Sequence, residues 1–216
     1  MSPRADAAAG AGGRRQRTEQ SEQTRTLMLA AAERLFAEHG VQAVSNRQIG
    51  EAAGQGNNAA VAYHFGTKTD LVRAIIRRHS VRTEQIRRRL LVAHSGSGDL
   101  RDWVACVVLP ITEHLTALGH PSWYARFSAQ LITEPGLLEV AAEEFQDATG
   151  LLAVMDGLQR CLPDLPEDVR EERIHMAHTL LVHFCAQRER DPSPAWDAVA
   201  AGLIDAMVGL FIAPVT

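Results

Sequence analysis

The segment SNRQIGEAAGQGNNAAVAYHFGTKTDL, residues 45–71, constrains the fold more than any other part of the chain. Ser45 is a good helix N-cap, Ile49 and Ala53 lie four apart on one face, and Gly54 supplies a stop. A turn rich in Gly and Asn follows, then an alanine-rich run from about Asn58 to Phe65. Thr67 opens the next helix, with Asp70 three residues on as an acidic variant of the capping box. A short helix, a turn and a second short helix make a helix-turn-helix, an arrangement whose second helix enters a DNA major groove.

Small side chains suit that placement. Ala59, Ala60 and Ala62 let a helix sit close to base edges and thymine methyls. Asn57 and Asn58, at its N-terminus, can pair with base edges or phosphates where backbone amides also point. The alternative is an alanine-rich helix packed tightly in a core. Charge bears on this choice: residues 1–93 hold 15 Lys and Arg against 8 Asp and Glu, a net +7, whereas residues 94–216 carry −11 and the whole chain −4. A basic part favours a polyanion through phosphate neutralisation and counterion release, and an acidic remainder is expected to point away from it. Basic residues that merely solvate helix faces are the rival explanation.

Helical signals run through the flanks. Residues 1–23 are small, polar and charged, with Arg14, Arg15 and Arg17 following three glycines, and are expected to form a flexible basic arm. From Thr24 to His39, Leu27, Ala31 and Leu35 recur at helical spacing with Met28, Ala32 and Phe36 beside them, and Gly40 ends the run. The helix after Thr67 reaches a break at SGSGD, residues 95–99. Its arginines, Arg73, Arg77, Arg78, Arg82, Arg87, Arg88 and Arg89, are spread around the axis, most of them as a solvated face. Further helices are expected at about 99–118, 121–132, 136–161, 167–188 and 194–212, separated by breaks that each hold Pro or Gly. The chain is therefore expected to be all-α, with an arm at 1–23, a three-helix DNA-binding domain at 24–70 and a helical domain at 71–216.

The last two helices carry Ile174, Leu181 and Phe184 in one and Val199, Leu203, Met207 and Leu210 in the other. That is more apolar surface than terminal helices of a monomer need, so they are expected to pair into a four-helix homodimer interface. Packing on their own domain is the alternative. Cys106, Cys161 and Cys185 are odd in number, widely spaced and flanked by apolar residues, which reads as reduced core thiols. The N-terminus lacks the apolar stretch of a secretory signal and no long apolar run occurs, so a cytoplasmic protein without a membrane partner is expected.

The stretch LMLAAAERLFAEHGVQAVSNRQIGEAAGQGNNAAVAYHFGTKTDLV, residues 27–72, resembles the tetracycline-repressor (TetR) family of bacterial transcriptional regulators. It holds that family's order of elements: Ala32, Leu35, Phe36 and Gly40 at the first helix end, Ile49 and Gly54 in the short helix, then Tyr63, His64 and Phe65 followed by Lys68 and Leu71. PSWYARFSAQLITEP resembles, more weakly, a segment of one subgroup. The resemblance implies a repressor that binds a palindromic double-stranded operator as a homodimer and is released by a small-molecule effector. By position it implies that Asn57, Asn58, Ala59, Ala60 and Tyr63 form the recognition surface, with Tyr63 and His64 reaching the sugar-phosphate backbone. Lys68 would clamp a phosphate, Arg47 would reach a base edge or phosphate, and Arg14, Arg15 and Arg17 would follow a minor groove. The chain departs from the family pattern in a stretch from Gly54 to Phe65 that is one residue longer. Gly50 also stands where alanine is usual, which weakens that helix by up to about 1 kcal/mol unless a close contact requires it.

The same resemblance implies an effector site in the C-terminal domain, for which Trp103, Val107, Ile111, His114, Trp123, Tyr124, Phe127 and Leu131 are the candidate walls. Aromatic residues at helical spacing also serve as plain core. His175 and His178 could share a helix face, but His183 is turned well away from His178, so interior or interface histidines are expected rather than a metal site. No cofactor is expected. An enzyme finds no support in a phosphate loop, a Ser-His-Asp pattern or a His-Glu metal motif. A helical adaptor using the acidic half for a protein partner, and an activator of the same fold, are the remaining alternatives.

Overall fold

The computed structural model describes residues 4–57, 59–146 and 148–215, and within them the side chains of residue 16 and of residues from 18 onward. Asn58, Arg14, Arg15 and Arg17, all expected to meet DNA, lie outside the described side chains. Among the described residues the chain forms ten helices and no strand. They are α1 (Arg4–His39), α2 (Asn46–Ala52), α3 (Ala60–Phe65), α4 (Lys68–Ala93), α5 (Leu100–Leu118), α6 (Tyr124–Thr133), α7 (Pro135–Phe145), α8 (Thr149–Cys161), α9 (Glu167–Arg188) and α10 (Trp196–Ile212). Two compact units divide the chain between Ala74 and Ile75, inside α4.

In the first unit α1 packs on α2 and α2 on α3. Met28, Ala32 and Phe36, one turn apart, are completely buried, and Val41, Val44, Ile49, Val61 and Phe65 complete the core around them. Leu27, expected in the buried stripe, is exposed instead, because the face that packs is centred one residue further along. The helix expected to begin at Thr24 begins at Arg4, so the segment expected as a flexible arm is helical backbone. Gln16 and residues 18–23 are exposed. Helicity there rests on local preference, since Gln, Glu and Arg lose little side-chain freedom in a helix.

In the second unit α5 packs on α10 and α8, α6 on α9 and α7, and α9 on α10. The helix expected over 136–161 is two helices, α7 and α8. At the start of α8 the Gly150 amide donates to Glu84 Oε1 at 2.7 Å, so the new helix N-terminus is anchored by a carboxylate 66 residues earlier in the chain. A second carboxylate does the same for α6. Glu189, only 2% exposed, accepts from the amides of Ala125 and Arg126 at 3.0 Å each, from Ser122 Oγ at 2.8 Å and from Arg126 Nε at 3.2 Å. Its charge is compensated on every side, the condition under which a carboxylate can be buried. All three cysteines are free. No helix is long and apolar enough to cross a membrane among the described residues.

Candidate functional site

The helix-turn-helix is built by short-range caps. Ser45 Oγ accepts from the Gln48 amide at 3.3 Å while Gln48 Oε1 accepts from the Ser45 amide at 2.9 Å, a reciprocal box that fixes the start of α2. Gly54, in the left-handed region at φ 71°, turns the chain out of α2. Asn57 Oδ1 accepts from the Ala59 amide at 2.9 Å and closes the turn into α3. At the other end of α3, Thr67 and Asp70 exchange hydrogen bonds, amide to Oδ2 at 3.0 Å and amide to Oγ1 at 3.1 Å, as the sequence leads one to expect.

These caps hold α3 with one face in and one face out. Val61 and Phe65 are buried, and the Arg25 guanidinium of α1 lies 4.8 Å from the Phe65 ring centroid, a cation–π contact that periodicity alone does not reveal. Facing outward are Asn57, Ala59 and Ala62, together with Tyr63, which is 85% exposed. Ala60 and His64 are half-buried, and His64 meets the Tyr63 ring edge-on at 5.2 Å. Arg47 projects from α2 with most of its side chain in solvent, 3.7 Å from Glu51. Lys68 differs from expectation. Its Nζ donates to the carbonyls of Val41 and Gln42 at 3.2 and 3.4 Å, so the ammonium that sits unfavourably in the first turn of α4 finds its negative partners in the loop after α1. Three donors on the ammonium leave one beyond those two bonds.

In the second unit an apolar cavity of about 320 Å³ lies among α4 to α9. Of the eight expected walls, Val107 and Ile111 of α5 and Tyr124, Phe127 and Leu131 of α6 line it, two helical stripes of i, i+4 and i, i+3, i+7 spacing. The other three are corrections. Trp103 is buried against Gly157, with its indole nitrogen donating to Ser97 O at 2.9 Å. His114 bonds His79 through Nε2 at 2.8 Å, and the Tyr124 ring stacks on His79 at 4.2 Å. Trp123 carries the Arg126 guanidinium over its ring at 4.3 Å.

Sequence reasoning missed Thr83, Arg87, Phe145 and His178 on the cavity wall. The signal was present in α4, where Ile76, Thr83 and Arg87 fall on one face, but Arg87 is hidden in a run of arginines. Its neighbours Arg82, Arg88 and Arg89 are exposed, whereas Arg87 is only 6% exposed and does not belong to the expected solvated face. Desolvation, reinforced by His175 and His183, holds His178 below the usual histidine range, so its imidazole is neutral at pH 7. Burial and the nearby Glu189 push the Cys185 thiol up to about 12. Four of the residues expected at a dimer interface, Leu181, Val199, Leu203 and Met207, are buried by their own unit, because the apolar faces of α9 and α10 fill its core. Ile174 and Leu210 are partly buried against that core, and Phe184 is exposed.

Residues 28–75 match the family model described as bacterial regulatory proteins, tetR family. The chain carries a tetR-family domain over those residues. It is a DNA-binding transcriptional regulator, a class without enzymatic activity. NalD, the secondary repressor of the MexAB-OprM multidrug efflux pump in Pseudomonas aeruginosa, is similar at 26% identity over 91% of this chain and 100% of that one, with a TM-score of 0.58. A TetR family regulator from Marinobacter aquaeolei VT8 shares the fold at 22% identity, covering 89% of this chain and 97% of its own, TM-score 0.58. HlyIIR, a hemolysin II transcriptional regulator, shares it at 20% identity, 86% and 97% coverage and the same TM-score. Among curated protein sequences none matches this chain.

Proposed function

We propose that this regulator is a cytoplasmic repressor that binds a palindromic operator as a homodimer and is released when a small molecule enters the cavity of the second unit. The observation that carries the reading is the outward face of α3. A helix that exposes Ala59 and Ala62 beside an almost fully exposed Tyr63 offers a flat surface with one long hydrogen-bonding side chain, which suits close approach to base edges with a phosphate contact at its rim. Asn57 and Arg47 supply polar reach around that surface, His64 supports Tyr63, and Lys68 retains one donor for a phosphate. The pairing surface is assigned to the outer side of α9, where Met176 and Phe184 are exposed large apolar side chains. The effector acts by binding the DNA-incompetent state better than the competent one, since only that difference moves the equilibrium.

Selection of genomic DNA fragments by the purified protein tests this reading. The expected outcome is a two-fold symmetric site whose half-sites are about one helical turn or more apart. Ala62→Leu adds bulk on the outward face and is expected to abolish specific binding while leaving the melting temperature unchanged. Enrichment of no sequence, even at low salt, would instead bring the protein-binding adaptor forward.

A further inference from the structure

Among the residues lining the apolar cavity, Arg87 carries the only fixed charge. A guanidinium that is 6% exposed in such a wall is costly unless its donors are matched, and here they are matched on one side only. Nη1 donates to Glu84 Oε2 at 2.8 Å, while the buried Nε has no hydrogen-bond partner among the described residues. Arginine presents its donors as a planar fork suited to a carboxylate or phosphate, and one part of that fork is unused.

Local charge favours an incoming anion. Glu84 serves two arginines, Arg87 and, through Oε1 at 3.3 Å, Arg88, and Oε1 also accepts from the Gly150 amide at the start of α8. Two guanidiniums against one carboxylate leave one positive charge in excess, and the helix N-terminus adds to it. Glu84 would therefore keep partners if Arg87 turned part of its fork to a ligand. Position fits as well. A second, polar cleft of about 360 Å³, lined by Glu84, Arg88 and Glu144, shares Thr83, Arg87 and Phe145 with the apolar cavity. Glu144 is itself paired with Arg77 at 2.6 Å and adds no free negative charge.

We infer that the cavity selects amphipathic anions, molecules with an apolar body that fills the cavity and a carboxylate or similar oxyanion held by Arg87. This inference rests on the proposed effector role of the cavity for its biological meaning, but its binding chemistry is testable without DNA. Calorimetric titration of the whole protein compares two matched pairs, decanoate with decan-1-ol and 2-naphthoate with 2-naphthalenemethanol. In at least one pair the acid is expected to bind about tenfold more tightly than the alcohol, the equivalent of one charge-assisted hydrogen bond. Arg87→Gln should bring acid and alcohol to parity with alcohol binding retained, and Arg87→Lys should keep part of the preference. Glu84→Gln, which removes the competing carboxylate yet keeps an acceptor for the Gly150 amide, should raise the preference; it also serves if Arg87→Gln does not fold. A purely structural Arg87–Glu84 pair predicts no such rise. Equal binding of acid and alcohol in both pairs, no binding of any of the four, or a preference indifferent to both substitutions overturns the inference. If the acid binds through Arg87 but leaves operator DNA bound, the anion selection stands and the sensing role fails.

Discussion

The two units start their helices by different means. In the first, Ser45 caps α2 with Gln48, and Thr67 caps α4 with Asp70, each partner three residues away. In the second, the start of α6 is held by Glu189, more than 60 residues distant, and the start of α8 by Glu84, 66 residues distant. A local cap specifies where a helix begins whatever the rest of the chain does. A distant one specifies how elements meet, and it puts a buried charge in the core as its means of doing so. The second kind is the more fragile.

Replacing Glu189 tests that difference most severely. Glu189→Ala leaves Arg126 Nε, the Ser122 hydroxyl and two amides at the start of α6 without their acceptor, and a loss of about 3–5 kcal/mol is expected, as for other buried pairs broken on one side. Ser45→Ala, its local counterpart, is expected to cost about 1 kcal/mol. Trp103, Trp123 and Trp196 all lie in the second unit, so urea unfolding followed by tryptophan fluorescence reads the Glu189 loss, while hydrogen exchange of the α2 amides reads the Ser45 loss in the first unit. Similar losses from both substitutions would erase the distinction between the two kinds of cap.

The same contrast explains what could be read in advance. Helix-turn-helix order and the capping of Thr67 by Asp70 follow from neighbours within a few positions. So do most of the helices beyond residue 99. The break between α7 and α8 did not, because what anchors α8 is Glu84 on a helix far back in the sequence. The buried state of Arg87 was equally hidden: among its sequence neighbours it is one arginine of many, and only the cavity singles it out. The apolar faces of α9 and α10 were legible as apolar but not as to their partner, since a core and a dimer interface ask for the same residues. Trp103, His114 and Trp123 show the matching ambiguity for aromatic and histidine side chains, which serve as packing and hydrogen-bonding anchors here rather than as cavity wall.

Packing at a distance also predicts a smaller but sharp effect at Gly157. A Cβ built there would overlap the Trp103 ring, whose position is fixed by burial and by its bond to Ser97. Gly157→Ala is expected to cost about 1–3 kcal/mol, the usual range for overpacking, despite alanine's better helix propensity. A neutral result in the same urea titration would mean that the Trp103 ring can move aside, and that the tightness of the second unit is less than its geometry implies.

Gly50 is the opposite case and gives the smallest effect. It too is a buried glycine inside a helix, but a Cβ there would meet only Gln55 O at 3.8 Å and Asn57 O at 3.9 Å, ordinary contact distances. No close approach requires the glycine, so nothing in the structure offsets its cost to a helix of 7 residues. Gly50→Ala is expected to stabilise α2 by up to about 1 kcal/mol, read as slower hydrogen exchange of the α2 amides in the intact protein. Faster exchange would show that α2 and the turn through Asn57 already pack as tightly as Trp103 on Gly157. The first unit would then depend, like the second, on a close fit between segments rather than on its caps alone.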